Sequence, residues 1–139
     1  MNMQRFYSFI TTICLVLLTI PFYAQITNVW IGGSPGHETE WNFHKNWSKN
    51  QVPDWSSDVI IPNNYSDHKF YPVVADVDLE VNSLNIHSGA ELTIAEDAFL
   101  SILNDEYRLE AFKNRGKIRI LGNLEIEGEI FEDALVFKK

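Results

Sequence analysis

The stretch "NRGKIRILGNLEIEGEIFED", residues 114–133, limits most tightly what this chain can become. Gly116, Gly122 and Gly128 stand six residues apart; Ile118, Leu124 and Ile130 keep the same step, as do Ile120 and Ile126. Between glycines the residues alternate apolar and polar, the period of a strand with one buried face. Strands this short, with a glycine at each corner, are hard to build into long hairpins. They suit the flat sides of a β-solenoid, in which each side contributes two inward apolar residues and then turns. The expected fold is all-β: a short right-handed parallel β-helix over residues 73–139. A β-sandwich, which also uses short alternating strands, is the alternative.

The preceding text has the same grain. In "VVADVDLEVNSLNIHSGAELTIAEDAFLSIL" the apolar pairs are Val77/Leu79/Val81, Leu84/Ile86, Leu92/Ile94 and Leu100/Ile102. Turn-forming residues separate them at Asn82-Ser83, Ser88-Gly89, Glu96-Asp97 and Asn104-Asp105. Only Tyr107–Phe112 departs from the pattern, reading as a single turn or a poor strand.

The N-terminus is of another kind. Arg5 closes a short basic region, and Phe6 to Ala24 carries no charge. This is the layout of a signal peptide over residues 1–24, with Ala24 as the last residue removed. Phe22 is larger than the residue usual two places before that point, which leaves the cut site open. A retained anchor is the alternative: the uncharged run nearly spans a bilayer, but Pro21, Ser8, Thr11, Thr12 and Thr19 weaken it. Cys14, the one cysteine, lies inside the apolar run and is not placed for lipid attachment. Export would leave a chain without cysteine, unlike small secreted domains stapled by disulfides. Residues 25–139 make one domain by length. The formal charge of −8 disfavours nucleic acid and anionic membranes as partners.

All four tryptophans fall between the leader and the repeats, in "WIGGSPGHETEWNFHKNWSKNQVPDWSSDVIIP", residues 30–62. A solenoid exposes unpaired strand edges and an open core at each end, so an end cap is expected. Burying one tryptophan is worth roughly 5 kcal/mol gross, an effective source of stability for a polar segment without disulfides. The segment 25–72 therefore reads as a cap whose core is Trp30, Trp41, Trp47 and Trp55, with Gly32, Gly33 and Gly36 allowing tight turns and Pro53 and Pro62 near its end. The competing reading is a carbohydrate platform, with Trp41, Trp47 and Trp55 exposed to stack on sugars.

The residues Trp30-Ile-Gly-Gly33, Trp41, Asn46-Trp47, Val52-Pro53, Asp58-Val-Ile-Ile-Pro62 and Tyr71-Pro72 resemble the opening of β-helical, adhesin-like modules in secreted Bacteroidetes surface proteins. "Val81-Asn-Ser-Leu84-Asn-Ile86" and "Asn114-Arg-Gly116-Lys-Ile118" extend the resemblance over nearly all of residues 25–139. It implies a structural or interaction role at the cell surface or outside the cell. Two departures stand out: such proteins are often longer, and a glycine expected near Ala98 is missing.

Signals for chemistry are sparse. His37, His44, His68 and His87 lack the close pairing of zinc ligands. Asp54, Asp58, Asp76 and Asp78 are calcium candidates by oxygen chemistry alone, since no spaced loop motif accompanies them; solvated carboxylates are the plainer account. Asp76 and Asp78 on one strand would lie roughly 6–7 Å apart, a spacing that glycoside hydrolysis uses. Any polar strand face produces such pairs, however, and Glu125/Glu127 is another. Asn46-Trp-Ser48 and Asn64-Tyr-Ser66 match the glycosylation sequon by coincidence. The sequence thus points to a non-enzymatic module without cofactor. Its expected partners are a surface glycan or another protein, and the last coil offers an edge for end-to-end self-association.

Overall fold

The computed structural model describes residues 26–63, 70–75, 77–103 and 111–127. The leader, His68, Asp76, residues 107–110 and the repeats from Gly128 onward lie outside the described residues.

The described chain forms strands β1 (Ile26–Val29), β2 (Ser57–Ile61), β3 (Val73–Val74), β4 (Asp78–Val81), β5 (Ser83–Ile86), β6 (Glu91–Ile94), β7 (Phe99–Ile102), β8 (Phe112–Asn114), β9 (Lys117–Ile120) and β10 (Asn123–Ile126). Every pairing between them is parallel. The antiparallel ladders of a sandwich do not occur among these strands. The sheets run β1-β2-β5-β8, β3-β6-β9 and β4-β7-β10. The chain therefore visits the three sheets in one cyclic order: β2-β3-β4, then β5-β6-β7, then β8-β9-β10. Parallel neighbours cannot be joined by a tight hairpin; here the other two sheets serve as the connection. A 3-10 turn at His44–Asn46 is the one helical element among the described residues, and no described helix is long and apolar enough to cross a membrane.

Strand alternation places the core. The registers align Val59 with Leu84 and Phe112, Leu92 with Ile118, Val74 with Ile94 and Ile120, Leu79 with Leu100 and Leu124, and Val81 with Ile102 and Ile126. Most of these residues form a single buried cluster, with Leu79, Ile120, Leu124 and Ile126 partly buried against it. Outward positions between them carry Asp78, Glu80, Glu91 and Lys117, and Lys117 Nζ bonds Glu91 Oε1 at 3.0 Å on the face of the β3-β6-β9 sheet. The apolar pairs read from the sequence fall on β4, β5, β6 and β7, and the six-residue step on β9 and β10.

One boundary differs from expectation. β1 and β2 lie within residues 25–72 yet belong to the sheet of β5 and β8, so the stacked strands begin before residue 73. Val59-Ile60-Ile61 is a buried strand without strict alternation, which hides it among the cap residues.

The spaced glycines answer to backbone proximity. A Cβ on Gly122 would overlap the carbonyl oxygens of Ala95 and Ala98, one turn earlier, and a Cβ on Gly116 that of Ala90. Gly122 N in turn donates to Ile94 O at 3.3 Å and Asn123 N to Ala98 O at 3.0 Å. The missing glycine near Ala98 has the same explanation. In that corner the chain makes a wider turn, Ala98 N to Ala95 O at 3.1 Å, and the small buried Ala98 suffices.

We expect Gly122→Ala to lower the unfolding free energy by about 1–3 kcal/mol, the usual cost of overpacking. Urea titration of the protein measures this, and an unchanged midpoint would show that the corner is loosely stacked.

Candidate functional site

The chain leaves β1 at Trp30 and re-enters the sheet at Ser57, and the intervening loop covers one end of the core. Trp30 N donates to Ile60 O at 2.9 Å, so the β1–β2 register continues and sets Trp30 over Ile61. On the next side, Val73 N donates to Thr39 O at 2.8 Å and Trp41 N to Val73 O at 3.2 Å. Glu40 thereby pairs in parallel with Val73, and Trp41 comes to stand over Val74. Trp47 fills the space between them. Its ring lies edge-on to both others, with centroids 4.9 Å from Trp30 and 4.7 Å from Trp41 and interplanar angles of 78° and 71°, the arrangement aromatic quadrupoles favour. All three are 1% exposed.

Two of the three indole N–H groups have acceptors: Trp30 Nε1 donates to Phe70 O at 2.8 Å and Trp47 Nε1 to Trp41 O at 2.7 Å. Trp41 Nε1 has none among the described residues, a penalty of about 1–3 kcal/mol set against the burial of the whole ring. Gly32 (φ 66°) is required beside them, because a Cβ there would come within 2.7 Å of Phe70 O and 2.8 Å of Trp30 Nε1, the two atoms of that hydrogen bond. Gly33, also at positive φ, sends its N–H to Glu38 O at 2.8 Å. Pro53 is buried, and Pro62 is half-buried just after β2.

The cap is cross-braced by a residue that the sequence reading passed over as a site. Asn46 is fully buried. Its Nδ2 donates to His37 O and Glu40 O at 2.6 and 3.0 Å, its Oδ1 accepts from Ser34 N at 3.2 Å, and its carbonyl accepts from Ile31 N at 2.8 Å. The sequon at Asn46 is thus closed to a glycan. Asn28, also buried, donates to Gln51 O at 2.8 Å and accepts from Lys49 N at 3.2 Å, tying the end of the loop back to β1. The Asn preceding Trp47 was the available signal for Asn46; nothing in its flanks separates Asn28 from a surface asparagine.

The sugar platform does not form as a row. Trp41 and Trp47 have both faces in the core, which corrects the reading that exposes them. Trp55 does not share their fate: it is 56% exposed. It sits on a turn held by Asp54, whose Oδ1 accepts from Ser56 N (3.0 Å), Ser56 Oγ (2.7 Å) and Ser57 Oγ (3.1 Å), while Asp54 N donates to Ser57 Oγ (3.1 Å). Burial pushes the Asp54 carboxyl upward, but these donors outweigh it and hold the group below the usual carboxylate range. The turn stands over β4, the end strand of its sheet. Asp54, Trp55, Asp78, Glu80 and Phe99 line a groove of about 490 Å³ between them.

Of the described calcium candidates, Asp54 and Asp78 line the same groove and Asp58 does not. Asp54 Oδ1 is committed to its turn, and Asp58 Oδ1 accepts from Asn82 Nδ2 at 2.9 Å and Ser83 Oγ at 2.7 Å at a corner of the fold. Among the described residues no group of three or more His, Cys, Asp or Glu side chains is placed to hold a metal ion. His37 Nδ1 meets Glu40 Oε2 at 2.8 Å on the surface, and the His37 ring stacks on Phe43. A second cleft, about 390 Å³, lies at a corner beside Asn63, His87, Ser88 and Arg115.

Two outcomes follow. Iodide should quench one tryptophan of the four, and Trp55→Phe should abolish that fraction, whereas Trp47→Ala should destabilise the chain by about 3–5 kcal/mol in urea titration. The second outcome concerns pH. Because the folded-state value of Asp54 is depressed, its contribution is complete above the unfolded value near pH 4 and is lost as pH falls through the lower folded value. Acid unfolding followed by near-ultraviolet circular dichroism should therefore lose part of its steepness below about pH 4 in Asp54→Asn. Compared with protein-family models, curated proteins and solved structures, the chain finds no match.

Proposed function

We propose that this chain is an exported, non-enzymatic interaction module of the adhesin-like kind found on cell surfaces or in secretions, built as a short right-handed parallel β-helix. The observation that carries the reading is the cluster of buried tryptophans beside three parallel sheets. The recurring sheet order and the in-register columns support a solenoid, and this tryptophan plug gives it an end that does not recruit further strands. Such a body is rigid and presents outward faces whose residues take no part in the core. The uncharged run after Arg5 supports export. Non-enzymatic character is supported by the use of Asp54 and Asp58, each of which receives structural hydrogen bonds.

A second reading, carbohydrate binding, is favoured by one observation: Trp55 is left at the surface beside a groove, while the other three tryptophans are buried.

The test is retention of the exported chain on immobilised extracellular polymers, both polysaccharides and matrix proteins, with soluble products assayed in parallel. We expect retention on at least one polymer and no release of fragments. Catalytic release of fragments would overturn the proposal.

A further inference from the structure

We infer that the groove under Trp55 is a subsite for a non-anionic pyranose unit of a polysaccharide. The inference rests on the carbohydrate reading above and names its ligand class.

The first argument concerns what the turn presents. The described hydrogen bonds of the turn join Asp54 to Ser56 and Ser57, and they present the indole of residue 55 at the surface. An indole more than half exposed keeps a large apolar face in water, and that face becomes favourable when a ligand covers it. The chain demonstrably can bury tryptophan, since it does so three times within the same loop.

The second argument is the composition of the groove. A pyranose ring has a flat C–H face and a rim of hydroxyls. Trp55 offers a flat apolar surface, with Phe99 as further apolar wall. Asp78 and Glu80 are exposed and project from the same face of β4, and ionised carboxylates accept hydrogen bonds from hydroxyls more strongly than neutral acceptors do. Asp54 retains Oδ2, since Oδ1 takes the described turn bonds. The volume of about 490 Å³ falls within the roughly 300–1,000 Å³ of small-ligand clefts.

The third argument is charge. Asp54, Asp78 and Glu80 are all acidic, the described lining contains no Lys or Arg, and the whole chain is at −8. A uronate or sulfated sugar would meet like charges on several sides. A neutral sugar meets no such penalty, and an amino sugar gains attraction to the carboxylates and to the indole face.

The experiment is affinity electrophoresis and fluorescence titration of the exported chain with cellohexaose, xylohexaose, chitosan hexamer and polygalacturonate. The variants are Trp55→Ala and the pair Asp78→Asn with Glu80→Gln. Near-ultraviolet circular dichroism from the three buried tryptophans verifies that each variant is folded. The expected result is binding of a neutral or amino oligosaccharide, with a shift in tryptophan emission and weakening by about tenfold or more in Trp55→Ala. The carboxamide pair should weaken it too, most strongly for chitosan hexamer. Binding confined to polygalacturonate, yet still dependent on Trp55, would overturn the ligand class and leave the carbohydrate reading standing. Binding that Trp55→Ala leaves untouched would overturn the groove as the site, again sparing that reading. Retention of none of the four sugars would overturn both, and capture of a lysine-rich peptide at Trp55 in their place would identify the groove as a cationic-peptide site.

Discussion

Parallel stacking of very short strands is the constraint on which everything else in this molecule depends. A strand of four residues has too few hydrogen bonds and too little buried area to persist alone. Each here gains both by lying in register with its counterpart one turn away, so that inward side chains form columns through the core. A column must end somewhere, and at its end an apolar side chain faces water and a strand edge goes unpaired. The loop between β1 and β2 resolves both problems. It extends one sheet at Trp30, adds a short pairing to a second at Glu40, and tops their columns with Trp30 and Trp41, Trp47 closing the gap between them.

Closing the end with indoles places a demand on the polar backbone of a loop that turns back on itself. Buried N–H and C=O groups need partners, and helical or sheet ladders are not available to satisfy them there. Asn46 stands in for a ladder, joining five separate backbone positions from one side chain and its carbonyl. Asn28 does the same at the loop's return, while at the corner Asp58 accepts from the side chains of Asn82 and Ser83. A carboxylate or amide with several acceptor sites suits such corners. At Asn46 the side chain is committed to the backbone in this way, so the sequon there is closed to a glycan.

Much of the strand layout was legible because period two is a local property. Leu84/Ile86, Leu92/Ile94 and Leu100/Ile102 announce their strands without reference to any neighbour, and Gly116 and Gly122 announce corners. Membership of sheets is not local. That β2 pairs with β5 follows from a register spanning the whole of one turn, and Val59-Ile60-Ile61 reads as a plain apolar run inside a cap. The tryptophans were harder still. Residue type states that an indole favours burial, but Trp47 and Trp55 sit in similarly polar flanks. What separates them is position: Trp47 returns across the mouth of the core through a backbone bridge to Trp30, while Trp55 occupies a turn outside it.

That difference in position bears on function through the alternation of the strands. On β4 the inward side chains are Leu79 and Val81, aligned with Leu100 and Ile102 of β7; the outward ones are Asp78 and Glu80. Neither outward carboxylate enters the core cluster, and Trp55 stands outside it too. Substitutions on the outer face can thus proceed without disturbing the columns, while substitutions in the plug act on stability. A loop that contributes indoles to both faces keeps core and surface energetically apart within one stretch of sequence. The tryptophans cluster because the loop must fill the end of the core, and the one that fills nothing there is the one left facing solvent beside the groove.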